Sequence, residues 1–244
     1  MSYIIALTVL VSLYICAVYL MKYMKNVEVW NWIFSSSVFV LYISLSLKVY
    51  FDVGFYDWNF QNTLPVANVS PFMFSIVLII QLLPEKIRKH FYLLISLLSV
   101  GMFLSAAFTC LYNAMRNYRF IPHFMLDCLA HYLLSLWGIY LVRTKQVEIK
   151  RKNLLISSSI IVGVAFLMLI LNLIFDTSFF GLSINGKHNI YNMVIVESSL
   201  LSAVLYFFGL VFVLLMGYVL SRIVNKSIHK NKKTLVEEKK EHSL

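Results

Sequence analysis

Residues 120–142 read FIPHFMLDCLAHYLLSLWGIYLV. The run is long enough to cross a bilayer core as a single helix, which takes about 20 residues. It also carries His123, Asp127 and His131, four residues apart. In a helix that spacing stacks the three groups on one slowly drifting stripe. Titratable side chains are costly inside hydrocarbon, so such a stripe is either functional or a polar packing seam satisfied by neighbouring helices. Measured along the helix axis from His123, Asp127 lies about 6 Å and His131 about 12 Å further on.

Outward from this helix, six more apolar runs cover residues 3–21, 29–51, 66–83, 90–111, 154–175 and 194–223. The chain of 244 residues is 60% hydrophobic and 13% charged, against about 25% charged residues in a soluble domain. The runs are continuous rather than alternating, which argues against a β-barrel. The expected fold is therefore all-α, a multi-pass transmembrane helical bundle of about seven spans over residues 1–224. A polar, Lys- and Glu-rich tail, residues 225–244, follows as a flexible extension. Cys16, Cys110 and Cys128 lie in or at the end of apolar runs and form no CxxC pair, so neither a disulfide framework nor a zinc knuckle is indicated. The first run has no basic stretch before it and Lys22 and Lys25 after it, the pattern of a retained anchor rather than a cleaved signal peptide.

Net charge is +10, and its distribution is an orientation signal. Taken alternately, the links and the tail carry 2, 3, 5 and 7 Lys and Arg residues on one side, and 0, 2 and 1 on the other. Seven spans with the N-terminus outside and the C-terminus in the cytoplasm satisfy this asymmetry. No nucleic-acid partner is needed to explain the basic excess.

This orientation places the intramembrane polar residues toward the outer side. His123 sits near the outer interface, and His131 close to the midplane. Lys48, Glu197, Thr109, Cys110, Asn68, Ser70 and Asn172 all fall at outer ends of their runs. The inner halves are mostly Leu, Ile, Val and Phe. The expectation is an outward-opening polar pocket floored near His131 and lined by these seven residues. A His in reach of a carboxylate serves as general base, with the carboxylate fixing its tautomer. Nucleophile candidates are Thr109, Cys110, Cys128, Ser70 or an activated water. His123, Asp127, His131 and Glu197 are zinc-ligand types, but three of them spread over about 12 Å of one helix and cannot share one ion. An Asp–His chain beside Lys48 and Glu197 also has the composition of a proton relay. No P-loop, GxGxxG or GxSxG is present, and no cofactor is expected.

Residues 117–142, NYRFIPHFMLDCLAHYLLSLWGIYLV, resemble the central signature of the YwaF-type bacterial integral membrane family. Leu64-Pro65 resembles that family's entry to its third span, and NIYNM at 189–193 its element before the last span. The resemblance implies a buried His at His131, with His123 as a looser counterpart. It also implies distant kinship to membrane enzymes that transfer or hydrolyse acyl esters of lipids. One departure stands out: the family's Leu-Pro continues into a His and a Cys, whereas here Val66, Ala67, Asn68 and Val69 follow.

Two functions are expected on these grounds. The first is lipid binding or acyl-ester chemistry, hydrolase- or acyltransferase-like, with His131 as base, Asp127 as its charge partner and a membrane lipid as ligand. The second is a non-enzymatic transporter, or an accessory or immunity protein with a membrane-protein partner.

Overall fold

Glu85 opens the longest helix among the described residues, and other helices pack against it. The computed structural model describes residues 2–53, 69–115, 122–147, 149–175 and 204–224. Within them the helices are α1 (Ser2–Leu20), α2 (Val27–Val53), α3 (Val69–Leu82), α4 (Glu85–Met115), α5 (Pro122–Arg143), α6 (Arg151–Phe175) and α7 (Val204–Val224). No strand occurs among the described residues. Five helices, α2 and α4 to α7, are long and apolar enough to cross a membrane, while α1 and α3 carry shorter apolar stretches. The bundle exterior is greasy: Leu82, Phe108 and Phe208 are 76%, 68% and 70% exposed. Apolar side chains covering the outside on this scale need acyl chains, not water, as their neighbours. The chain is built as an integral membrane protein.

Local chemistry sets the helix ends. Asn26 caps α2, its Oδ1 accepting the Val29 N–H at 3.2 Å, as an N-cap Asn does. Pro84 precedes α4, and its carbonyl accepts the N–H groups of Ile87 and Arg88, both at 2.9 Å. The polar turn Glu85–Lys89 is therefore helical, and α4 starts five residues before the apolar run does. Pro122 occupies the first position of α5, where its missing N–H costs nothing. The other end of α5 closes with Gln146 N–H on Leu141 O and Lys145 N–H on Val142 O, a Schellman pair. Lys145 takes φ 59° there, a left-handed conformation that glycine adopts more cheaply. The beginning of the seventh apolar run, residues 194–203, and the tail 225–244 lie outside the described residues, as do Leu64-Pro65 and NIYNM.

The centre of the bundle is the α4–α5 pair. Their apolar windows are 61% and 67% buried, against 22% for α6 and α7. α2 packs on α5 and α3, α1 on α4 and α5, and α6 on α4. Small residues allow the closest approaches, as expected where apolar packing alone must hold helices together in lipid. A Cβ added at Gly138 of α5 would stand 2.8 Å from Ile95 O and from Ser99 Cβ of α4. Gly217 of α7 meets the Leu97 backbone of α4, and Val213 covers Gly101. These two contacts run in opposite directions along the helices, so α7 is antiparallel to α4.

Hydrogen bonds thread the same interfaces. Ser135 Oγ donates to Ser99 O at 2.7 Å, which leaves Tyr14 Oη as the donor in its 2.7 Å bond to Ser135 Oγ. Ser99 Oγ donates to Ser96 O, and Ser96 Oγ lies 3.0 Å from Gly138 O. Trp137 Nε1 donates to Asn31 Oδ1 at 3.0 Å, and Tyr92 Oη to Gln81 Oε1 at 2.8 Å. These bonds give polar atoms in the bundle a partner, the condition for keeping them in an apolar interior, although Gln81 Nε2 has none among the described residues. Further along α5, the Arg143 guanidinium donates to Val18 O near the end of α1. Glu85, Lys86 and Lys89 share a cleft with Lys152. The end of α1, the starts of α4 and α6, and the end of α5 thus meet at one end of the bundle, and the antiparallel α7 brings Arg222 there too.

Candidate functional site

α5 places Asp127 and His131 one turn apart, and the two side chains meet. His131 Nδ1 lies 3.3 Å from Asp127 Oδ1 and 2.9 Å from Asp127 backbone O. Both partners are acceptors, so Nδ1 carries the proton; in the neutral ring Nε2 then holds the lone pair. The imidazole side chain is only 8% exposed and lies perpendicular to the ring of Phe74 of α3, ring centroids 4.9 Å apart at 85°. A perpendicular arrangement is one that aromatic rings prefer, and it packs the imidazole of α5 against α3. The Asp127 side chain is 29% exposed. The carboxylate is therefore partly open to its surroundings and the imidazole is enclosed. A base oriented by a carboxylate and by its own helix turn is what this pair supplies chemically.

Cys128 follows Asp127 but faces elsewhere. Its Sγ donates to Ala106 O of α4 at 3.4 Å and is buried, and its thiol interacts with that of Cys110. The two cysteines form an α4–α5 contact of their own. Ser70 of α3 lines a cavity of about 190 Å³ between α3, α4 and α7, with Gly101, Ser105, Gly209 and Tyr206. The walls of that cavity do not include Asp127 or His131. Phe74, against which His131 rests, is one turn along α3 from Ser70. Asn172 is buried on α6. His123, Lys48 and Thr109 belong to α5, α2 and α4, but their side chains lie outside the described residues, as do Asn68 and Glu197 entirely. Of the sequence-derived set, the structure brings together His131 with Asp127, and Cys110 with Cys128; Ser70 lines a separate cavity. Among the described residues, no three His, Cys, Asp or Glu side chains gather closely enough to hold a metal ion.

Sequence reading passed over the serine ladder. Ser96, Ser99 and Ser135 lie in what look like apolar inner halves, yet they link α1, α4 and α5. Their signal was present as small residues three apart, Ser96 with Ser99 and Ser135 with Gly138, a spacing that puts them on one helix face. No protein-family model, curated protein or solved structure matches the chain.

Proposed function

We propose that this is a seven-span membrane protein that engages the polar part of a membrane lipid through the His131–Asp127 pair, and that its chemistry is acyl-ester hydrolysis or transfer. The supporting observation is the pair itself: a nearly enclosed imidazole with its Nδ1 proton held by Asp127, beside a partly exposed carboxylate. The convergence of basic helix ends supports an orientation with that end in the cytoplasm and the N-terminus outside. Asp127 then faces the outer half, and the lipid enters sideways between helices. In hydrolysis, His131 Nε2 takes a proton from water as the oxygen attacks the ester carbon; the acyl C–O bond breaks and the proton passes to the leaving alcohol. Cys128 is engaged with Ala106 O, and in this reading water or a second lipid hydroxyl is the nucleophile. Kinship to the YwaF-type family belongs to this same reading.

The test compares wild type with His131→Ala, inserted at equal levels, for turnover of lipid esters by the purified protein and for the acyl profile of the membrane. A general base contributes about 10²–10⁴-fold, so turnover should fall by at least about 100-fold. Equal turnover in the two proteins refutes the enzyme.

One observation favours a second reading. The imidazole is tied to its own helix turn and closed by Phe74, and the buried polar ladders bond helix to helix. A non-enzymatic accessory protein with a membrane partner would use the dyad as packing. That reading expects tolerance of both His131→Ala and Asp127→Asn, with a partner retained on purification.

A further inference from the structure

At the opposite end of α4 from Cys110, α4 and α6 part to leave a cleft of about 650 Å³, a size ordinary for a small-molecule site. Its rim is Glu85, Lys86, Lys89, His90, Lys152 and Asn153, and its floor is Leu93 and Ile156. Glu85 and Lys89 neutralise each other across one helical turn, Nζ to Oε1 at 2.6 Å. Lys86 and Lys152 make no ion pair among the described residues. Three ammonium groups against one carboxylate leave the rim at +2, counting His90 as neutral.

We infer that this cleft binds the phosphate-bearing headgroup of an anionic phospholipid. The level of the cleft selects lipid over a soluble anion. Both helices that form it become candidate membrane spans at this point, at Glu85 and at Arg151. The rim therefore lies where headgroups lie, and the apolar floor lies where acyl chains begin. Basic clefts between spans on the cytoplasmic side of a bundle suit anionic headgroups, and each Lys near such a surface contributes about 1 kcal/mol, or about fivefold in affinity. Lys86 and Lys152 approach from two helices, so a phosphate between them closes the gap between α4 and α6. This site is independent of His131: it sits at the other end of the bundle and uses no residue of the dyad.

The test is native mass spectrometry of the full chain in detergent, titrated with dioleoylphosphatidylglycerol, with dioleoylphosphatidylcholine, and with inorganic phosphate as competitor. Phosphatidylglycerol should bind more tightly than phosphatidylcholine. Lys86→Gln with Lys152→Gln should weaken phosphatidylglycerol about 25-fold, fivefold for each lysine. Glu85→Gln frees Lys89 and should tighten binding severalfold, a gain that no loss of folding can mimic. The inference is overturned if the two lipids bind equally or if the double variant keeps its affinity. It is also overturned if Glu85→Gln leaves affinity unchanged, or if millimolar phosphate displaces the lipid and so marks the cleft as a free-anion site.

Discussion

Gly217→Ala separates a packing requirement from the ordinary effect of glycine in a helix. A Cβ at 217 would stand 2.6 Å from Leu97 C and 2.8 Å from Leu97 Cα, and closer still to Leu97 O, where ordinary contact begins at 3.4 Å. The obstacle is α4 backbone, which cannot rotate aside, so α7 must move away along its contact. Overpacking of this kind costs about 1–3 kcal/mol, and a backbone obstacle puts it near ~3. Against this, replacing a mid-helix glycine by alanine gains about 0.5–1 kcal/mol. The net loss is about 2 kcal/mol, which for a chain of this size lowers Tm by roughly 4–8 °C. Gly209 on the same helix and Gly163 on α6 have open space at the Cβ position. Their alanine variants keep the helix gain and should melt about 1–4 °C above wild type. Thermal unfolding in one detergent, followed by a dye that reacts with newly exposed cysteine, reads all three. If Gly217→Ala melts with or above wild type, or Gly209→Ala falls equally far, the α4–α7 contact is misplaced.

Other perturbations probe the remaining supports. Trp137→Phe leaves buried Asn31 without its donor and should cost about 1–3 kcal/mol. A double-mutant cycle with Asn31→Leu should show positive coupling, and strict additivity would deny the bond. Lys145→Gly relieves a left-handed residue at the end of α5 and should raise stability by about 0.5–1 kcal/mol by thermal unfolding; a lower Tm would contradict that helix end. For orientation, a cysteine at Gln146 should react with a membrane-impermeant maleimide only from the cytoplasmic side, and labelling from outside would invert the topology.

Continuous apolar runs were enough to read the helices, because hydrocarbon-facing surfaces need no alternation with polar residues. What hydropathy missed were ends fixed by other forces. α4 extends back to Glu85 because Pro84 offers its carbonyl to the first turn, and a charged turn is invisible to an apolar window. The Asp127–His131 contact was legible because both residues share one helix and the four-residue spacing alone sets their distance. Ser70 was grouped with them on depth alone. Depth says nothing about what a side chain borders: Ser70 lines the cavity beside α7, while Phe74, one turn along the same face, packs on His131. The serine ladder escaped notice for a related reason. A hydroxyl in an apolar run looks like a lapse until the neighbouring backbone carbonyl that accepts it, Ser99 O or Gly138 O, is placed beside it.

The account rests most heavily on His131 and Asp127 meeting a lipid. A phospholipid carrying a photoreactive diazirine beside its ester group, irradiated in membranes containing the full chain, tests this at residue resolution. Adducts on Asp127 or His131 that disappear in His131→Gln are the predicted result. Adducts confined to lipid-facing positions such as Phe166 and Phe208, unchanged by that substitution, would contradict it.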